Sequence, residues 1–142
     1  MVIKKERLWD RQHRIGEIGA VAGGGVSRFP WTDEYKKAVR LLITWMEEIG
    51  MTVRTDTVGN VFGRYEGRER LPAVLVGSHL DTVPRGGYFD GLTGIMAALE
   101  ALTTMYERGE RLRRPIEMVA FINEEGNEFP GGCFGSRAMA GQ

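Results

Sequence analysis

The residues best suited to chemistry gather in two stretches. One runs Gly77-Ser78-His79-Leu80-Asp81-Thr82-Val83 and on through Gly86-Gly87-Tyr88-Phe89-Asp90-Gly91; the other is Phe121-Ile122-Asn123-Glu124-Glu125-Gly126. Each starts in an apolar run and ends in a polar loop. Strand carboxyl ends are where α/β proteins bind ligands. His79 and Asp81 are two residues apart and face the same side of an extended backbone. One can ligate a cation while the other braces it, because a metal-bound imidazole commonly donates its second N–H to a carboxylate. Asp90 lies nine residues beyond Asp81, between Gly87 and Gly91. Such a loop can return a carboxylate close to His79, and a carboxylate has two oxygens with which to bridge two cations. Glu124 and Glu125 are adjacent, so in extended chain they point to opposite sides: one would ligate and the other face a bound water. Taken singly, each of these elements is more often structural, such as a solvated turn, than catalytic. Taken together, a histidine and several carboxylates at the ends of two apolar strands point to a divalent metal site. A second chemistry is a cysteine nucleophile: Cys133 sits in Gly131-Gly132-Cys133-Phe134-Gly135-Ser136 near a helix start, which would lower its pKa, with His79 as base.

Several elements must position these groups. Lys4–Ile18 carries Leu8, Ile15 and Ile18 among charges and reads as an amphipathic helix, with His13 in a surface or packing role. Ala22–Val26 is a glycine loop without the spacing or the Lys-Ser/Thr of a phosphate cradle. Thr32–Ile49 is the clearest helix: Thr32 can cap it, Asp33 and Glu34 suit its positive end, and Gly50 suits its C-terminal exit. Trp45 and Met46 belong to its core face. Thr52–Asp56 and Asn60–Tyr65 read as strands around Thr57-Val58-Gly59. The unbroken run in Ala73–Gly77 predicts a third strand buried on both faces. Gly91–Arg108 is a helix with small residues at Gly94, Ala97 and Ala98, and Ile116–Ile122 is a further strand. The strand–helix–strand order implies a parallel pair. Phe134–Gln142 reads as the opening of a helix with no closing element behind it.

The chain has 142 residues, suited to one domain, and is 42% hydrophobic and 27% charged. That balance is ordinary for globular proteins. Its 19 basic and 19 acidic residues cancel, which argues against a nucleic-acid partner. The single cysteine excludes an internal disulfide framework and fits a reducing compartment. Met1–Asp10 has no apolar core of a leader, and no run approaches the ~20 apolar residues of a membrane span. A cytoplasmic protein with no membrane contact is expected.

The motifs Gly-Ser-His79-Leu-Asp81-Thr-Val, Gly-Gly-Tyr-Phe-Asp90-Gly, Phe-Ile-Asn-Glu124-Glu125-Gly and Gly-Ser-Arg-Ala-Met-Ala-Gly closely resemble the N-carbamoyl-L-amino-acid hydrolase/allantoate amidohydrolase family, part of a larger group of dinuclear metallopeptidases and aminoacylases. Gly24-Gly25-Val26-Ser27-Arg28 and Gly59-Asn60-Val61-Phe62-Gly63-Arg64 look like it as well. The resemblance implies an α/β fold, a mixed, largely parallel sheet with helices on both faces. It implies two divalent metal ions, zinc or manganese, with cobalt and nickel in the same range. His79 would ligate one, Asp90 bridge both and Glu125 ligate the other. Glu124 would be the general base acting on a metal-bound water, and Asp81 would orient His79. The peptide after Asp90 would be cis. The implied reaction is hydrolysis of a linear C–N amide in N-carbamoyl-L-amino acids or allantoate-like ureides, with a small-molecule substrate and a homodimeric full-length enzyme.

Two departures qualify this. Glu128 stands where the family usually has arginine. The chain also lacks the later metal ligands and the lid or dimerisation domain of such enzymes, so each metal is one ligand short. Residues 1–142 are therefore expected to be the N-terminal part of a catalytic domain, nearly inactive alone. A dipeptidase or aminoacylase-type deacylase and a non-catalytic remnant are the alternatives.

Overall fold

The computed structural model describes residues 2–127 and 131–142. Its order is α1 (Lys5–Gly16), α2 (Asp33–Glu48), β1 (Thr52–Thr55), β2 (Val61–Tyr65), β3 (Val74–His79), α3 (Leu92–Glu107), β4 (Ile116–Phe121) and α4 (Phe134–Met139). These match the elements expected from periodicity to within a few residues. Thr32 caps α2 as anticipated. It is extended, at φ −68° and ψ 167°, and its hydroxyl accepts the Tyr35 N–H at 3.3 Å. Gly50, at φ 70°, makes the left-handed exit that ends many helices.

The four strands form one mixed sheet in the order β1-β2-β4-β3. The β1–β2 and β2–β4 pairings are antiparallel and β3–β4 is parallel. The parallel share is thus smaller within these residues than the largely parallel sheet expected, and the connections explain it. The link from β1 to β2 is a tight turn in which Asp56 Oδ1 accepts the N–H groups of Val58, Gly59 and Asn60 at 3.1, 3.0 and 2.9 Å. A turn so short can only fold the chain back on itself, whereas a parallel pair needs a crossover, here α3.

One sheet face, with Val61, Tyr65, Met118 and Ala120, joins α1, α2 and α3 in a single apolar core containing Leu42, Trp45, Met46, Ile95, Leu99 and Leu102. Each fully buried leucine there stabilises the fold by about 1.5–3 kcal/mol. Gly63 and Gly94 permit this closeness: a Cβ would fall 2.8 Å from Met46 Sδ at the first and 2.8 Å from Ser78 Cβ at the second. The opposite face carries Phe62 beneath Arg54, which is paired with Glu117 at 3.2 Å.

β3 departs from expectation. Its apolar run predicts burial on both faces, yet Val74, Leu75 and Val76 are 53%, 46% and 38% exposed. β3 is the edge of this sheet, and among the described residues nothing pairs beyond it. Burial depends on what lies alongside, which the run itself does not encode.

Candidate metal centre

β3 and β4 run side by side, with His79 registered against Phe121. Both acidic segments therefore emerge at the same end of the sheet. His79 is 7% exposed and its Nδ1 lies 3.0 Å from the Asp81 carbonyl oxygen. A carbonyl only accepts, so Nδ1 carries a proton, and Nε2 is the ring nitrogen left toward the cluster. Nε2 faces Glu124, whose Oε2 is 3.7 Å away. Donor atoms of His79, Glu124 and Glu125 all lie within 4.8 Å of one another, from a buried imidazole and two half-buried carboxylates.

Glu124 and Glu125 do not split to opposite sides as extended chain would require. Asn123, fully buried, takes a left-handed φ of 53° and breaks the strand before them. The following loop is pinned from α4: Cys133 N donates to Glu124 O at 2.7 Å and Phe134 N to Asn123 O at 3.2 Å. Asn127 Nδ2 ties the loop to Thr82 O at 2.7 Å.

Asp81 is completely buried. Its bracing of His79 differs from the sequence expectation: the main-chain oxygen takes the imidazole proton, while carboxylate Oδ1 stands 3.8 Å from Nδ1. The other carboxylate oxygen accepts the Glu125 N–H at 3.1 Å. Asp81 thus holds two of the three clustered residues.

Asp90 is exposed and lies outside the cluster of three. The loop does return it to the site. A Cβ on Gly91, at φ 63°, would sit against the His79 ring, 2.5 Å from Nε2. The Asp90 charge also reaches Glu125. Burial pushes the Glu125 carboxyl up from the usual range; His79 opposes this, and Asp90, Glu124 and Asp81 push it further. The Asp90–Gly91 peptide is trans, correcting the cis expectation, since no cis peptide occurs among the described residues. A non-proline cis bond costs about 2.5–4 kcal/mol, and the positive φ of Gly91 makes the reversal without one.

The donor set suits a divalent cation. An imidazole whose Nδ1 is taken up by a carbonyl and whose Nε2 is turned to the cluster, with carboxylates that repel one another, forms a site whose mutual repulsion a positive ion would relieve. Cys133 does not suit the nucleophile role. Its exposed thiol donates to Glu124 Oε1 at 3.4 Å, and that bond raises its pKa, where the sequence reading anticipated a lowered one. His13 packs on Trp9 at 4.4 Å between ring centroids, as expected of a packing residue. Glu128 lies outside the described residues.

Sequence reasoning gave Arg28 no role, yet it is 1% exposed and bonded directly behind the site. Its only signal was its place in Gly24-Gly25-Val26-Ser27-Arg28, and arginine is ordinarily a surface residue.

Comparison with known proteins bears on this geometry. The chain is 48% identical to an N-carbamoyl-L-amino acid amidohydrolase of Geobacillus stearothermophilus over 141 residues, which cover 99% of this chain and 34% of that protein. It is 38% identical to a ureidoglycolate hydrolase of Arabidopsis thaliana over 134 residues, 92% of this chain and 28% of that one. The crystal structure of a hydantoinase/carbamoylase family amidase from Burkholderia ambifaria superposes with a TM-score of 0.95 at 41% identity, over 98% of this chain and 34% of that chain. The chain spans about a third of the length of these relatives. Residues 60–142, more than half of the chain and including both acidic segments, match the model of Peptidase family M28. The strand ends bearing His79, Glu124 and Glu125 thus lie within the matched region: the chain belongs to Peptidase family M28, and its close homologues are N-carbamoyl-L-amino-acid amidohydrolases and ureidoglycolate and allantoate hydrolases.

Proposed function

We propose that this chain is part of the catalytic domain of a metal-dependent amidohydrolase that cleaves a linear C–N bond in N-carbamoyl-L-amino acids or allantoate-like ureides. The observation that carries the reading is the convergence of donor atoms of His79, Glu124 and Glu125 within 4.8 Å at the ends of two neighbouring parallel strands. His79, Glu125 and Asp90 would hold two divalent cations, zinc or manganese. When bound, such ions polarise a carbonyl and acidify a coordinated water. Glu124, half-buried beside the imidazole, acts as general base: it takes a proton from the attacking water and passes it to the departing nitrogen. The new C–O bond forms as the carbonyl π pair moves onto oxygen, and the C–N bond breaks as the carbonyl re-forms and the nitrogen leaves with the proton from Glu124. Asp81 keeps His79 in the tautomer that presents Nε2.

The test is calorimetric titration of zinc and manganese into the chain, with His79→Ala and Glu125→Ala as controls. Saturable binding lost in both controls is expected; equal heats in all three chains would refute the metal centre. Turnover is read as ammonia release from N-carbamoyl-L-amino acids by the chain supplied with the C-terminal two-thirds of the Geobacillus relative. Glu124→Gln should lower it by about 10²–10⁴-fold. The match to a peptidase family model favours a second reading, dipeptide or N-acyl amino acid hydrolysis, and the same assay run on those substrates separates the two.

A further inference from the structure

We propose that Arg28 is a positioning residue of the metal centre: its guanidinium fixes the Leu80–Asp81 turn, and that turn aims His79 Nε2 and seats Glu125. The inference rests on the metal-centre reading of His79 and Glu125.

The turn beyond β3 is held by Arg28 on both sides of Asp81. Its Nε donates to Leu80 O at 2.7 Å. Its main-chain N–H donates to Thr82 Oγ1 at 3.0 Å, and its carbonyl accepts the Thr82 N–H at 3.2 Å. Thr82 Oγ1 in turn donates to Val26 O at 3.1 Å, closing a staple between residues 26–28 and 80–82. Asp81, between the two tethered residues, is reached by charge. The carboxylate is fully buried, and its Oδ1 has no hydrogen-bond partner among the described residues.

The guanidinium has the complementary deficit. Its other bonds go to the neutral carbonyls of Ile15 and Ile18, both 2.9 Å from Nη1. Burial lowers its pKa to about 10, with Asp81 and then Tyr35 acting to raise it, so it remains a cation at neutral pH. A buried cation and a buried anion without hydrogen-bonded counter-ions are each costly alone. Set behind one turn, each lowers the cost of the other. The consequence passes forward through Asp81. Its carbonyl receives the His79 Nδ1 proton, and its carboxylate receives the Glu125 N–H. A shift of this turn would move both donors at once.

The experiment is nitrogen-15 NMR of the His79 ring in the native chain, Arg28→Lys and Arg28→Gln, at about pH 8.5, two units above the ordinary imidazole value. Zinc affinity is measured in parallel. The native ring should show the Nδ1–H tautomer. Arg28→Lys, which keeps the charge but loses the fork to Ile15 and Ile18, should retain that tautomer and keep zinc affinity within about threefold, although stability falls. Arg28→Gln should give mixed tautomers and about 10–100-fold weaker zinc binding, the usual effect of removing a residue that supports a ligand. An osmolyte such as trimethylamine N-oxide keeps the Gln variant folded for the measurement. A native tautomer in Arg28→Gln, or its loss in Arg28→Lys, would overturn the proposal and leave Arg28 as a staple only. Absence of zinc binding by the native chain would count against the metal centre, while the tautomer series would still decide the role of Arg28.

Discussion

Replacing Gly91 by alanine probes the closest approach in the site. Gly91 holds φ 63° and ψ −54° at the start of α3, and an added Cβ would press on His79 Cε1 while lying 2.5 and 2.6 Å from Nε2 and Cδ2. Two penalties follow. A side chain at this positive φ costs about 1–3 kcal/mol. Carbon contacts are optimal near about 3.5–4.0 Å, so the imidazole must retreat by about 1 Å. That retreat pulls Nδ1 from the Asp81 carbonyl and Nε2 from the Glu124–Glu125 pair, and should weaken zinc binding by about 10–100-fold. The natural control is Gly87→Ala in the same loop, where the added Cβ meets no described atom within 4 Å. Urea unfolding and zinc titration of both variants check the reasoning. Gly91→Ala should lose stability and affinity together, and Gly87→Ala should change stability by less than about 0.5 kcal/mol. Equal behaviour of the two variants would mean that the Gly91–imidazole contact is not what places His79.

Other consequences can be measured directly. Burial pushes the Glu100 carboxyl up, but Arg7, which grips both oxygens at 2.7 and 2.8 Å, together with Lys4 N and Thr104 brings it below the usual range. Its stabilisation is therefore fully present above the ordinary value of about 4.3 and lost as pH falls through the lowered one, so the acid-side drop in urea midpoint should shrink in Glu100→Gln. The hydrogen bond to Glu124 raises the Cys133 pKa. Alkylation by iodoacetamide should therefore be slow at about pH 8, below the ordinary thiol value, and faster in Glu124→Gln; equal rates would show that the contact does not persist. The Tyr35 hydroxyl is buried without a hydrogen-bond partner among the described residues. Tyr35→Phe should then leave the urea midpoint unchanged or raise it; a loss above about 1 kcal/mol would reveal a partner.

The sequence made His79, Glu124 and Glu125 legible because apolar runs ending in carboxylates mark strand ends, and two such ends joined by a helix must lie side by side. It could not show that Asp81 works through its carbonyl as well as its carboxylate, since that depends on the turn taken after His79. Nor could it reveal the left-handed step at Asn123, which sets both glutamates into one cluster. Arg28 was hidden for a different reason: charge predicts exposure, and only the carbonyls of Leu80, Ile15 and Ile18 and the nearby Asp81 charge make its burial tolerable. The exposed Val74, Leu75 and Val76 mark the opposite failure, where apolar composition was read as burial that the neighbouring elements do not supply.

The parallel pairing of β3 with β4 also carries a consequence for how the molecule folds. The β1–β2 hairpin closes locally, but Asp81 and Glu125 are 44 residues apart and meet only after α3 has formed and crossed over. Closing such a loop precedes any reward from the contact, so this pairing is a slow step relative to the hairpin. The cluster of His79, Glu124 and Glu125 is consequently among the last features to assemble. An ion that requires all of its donors together would bind the native state and not the species before it, so adding the ion should slow unfolding while leaving the early folding phase untouched.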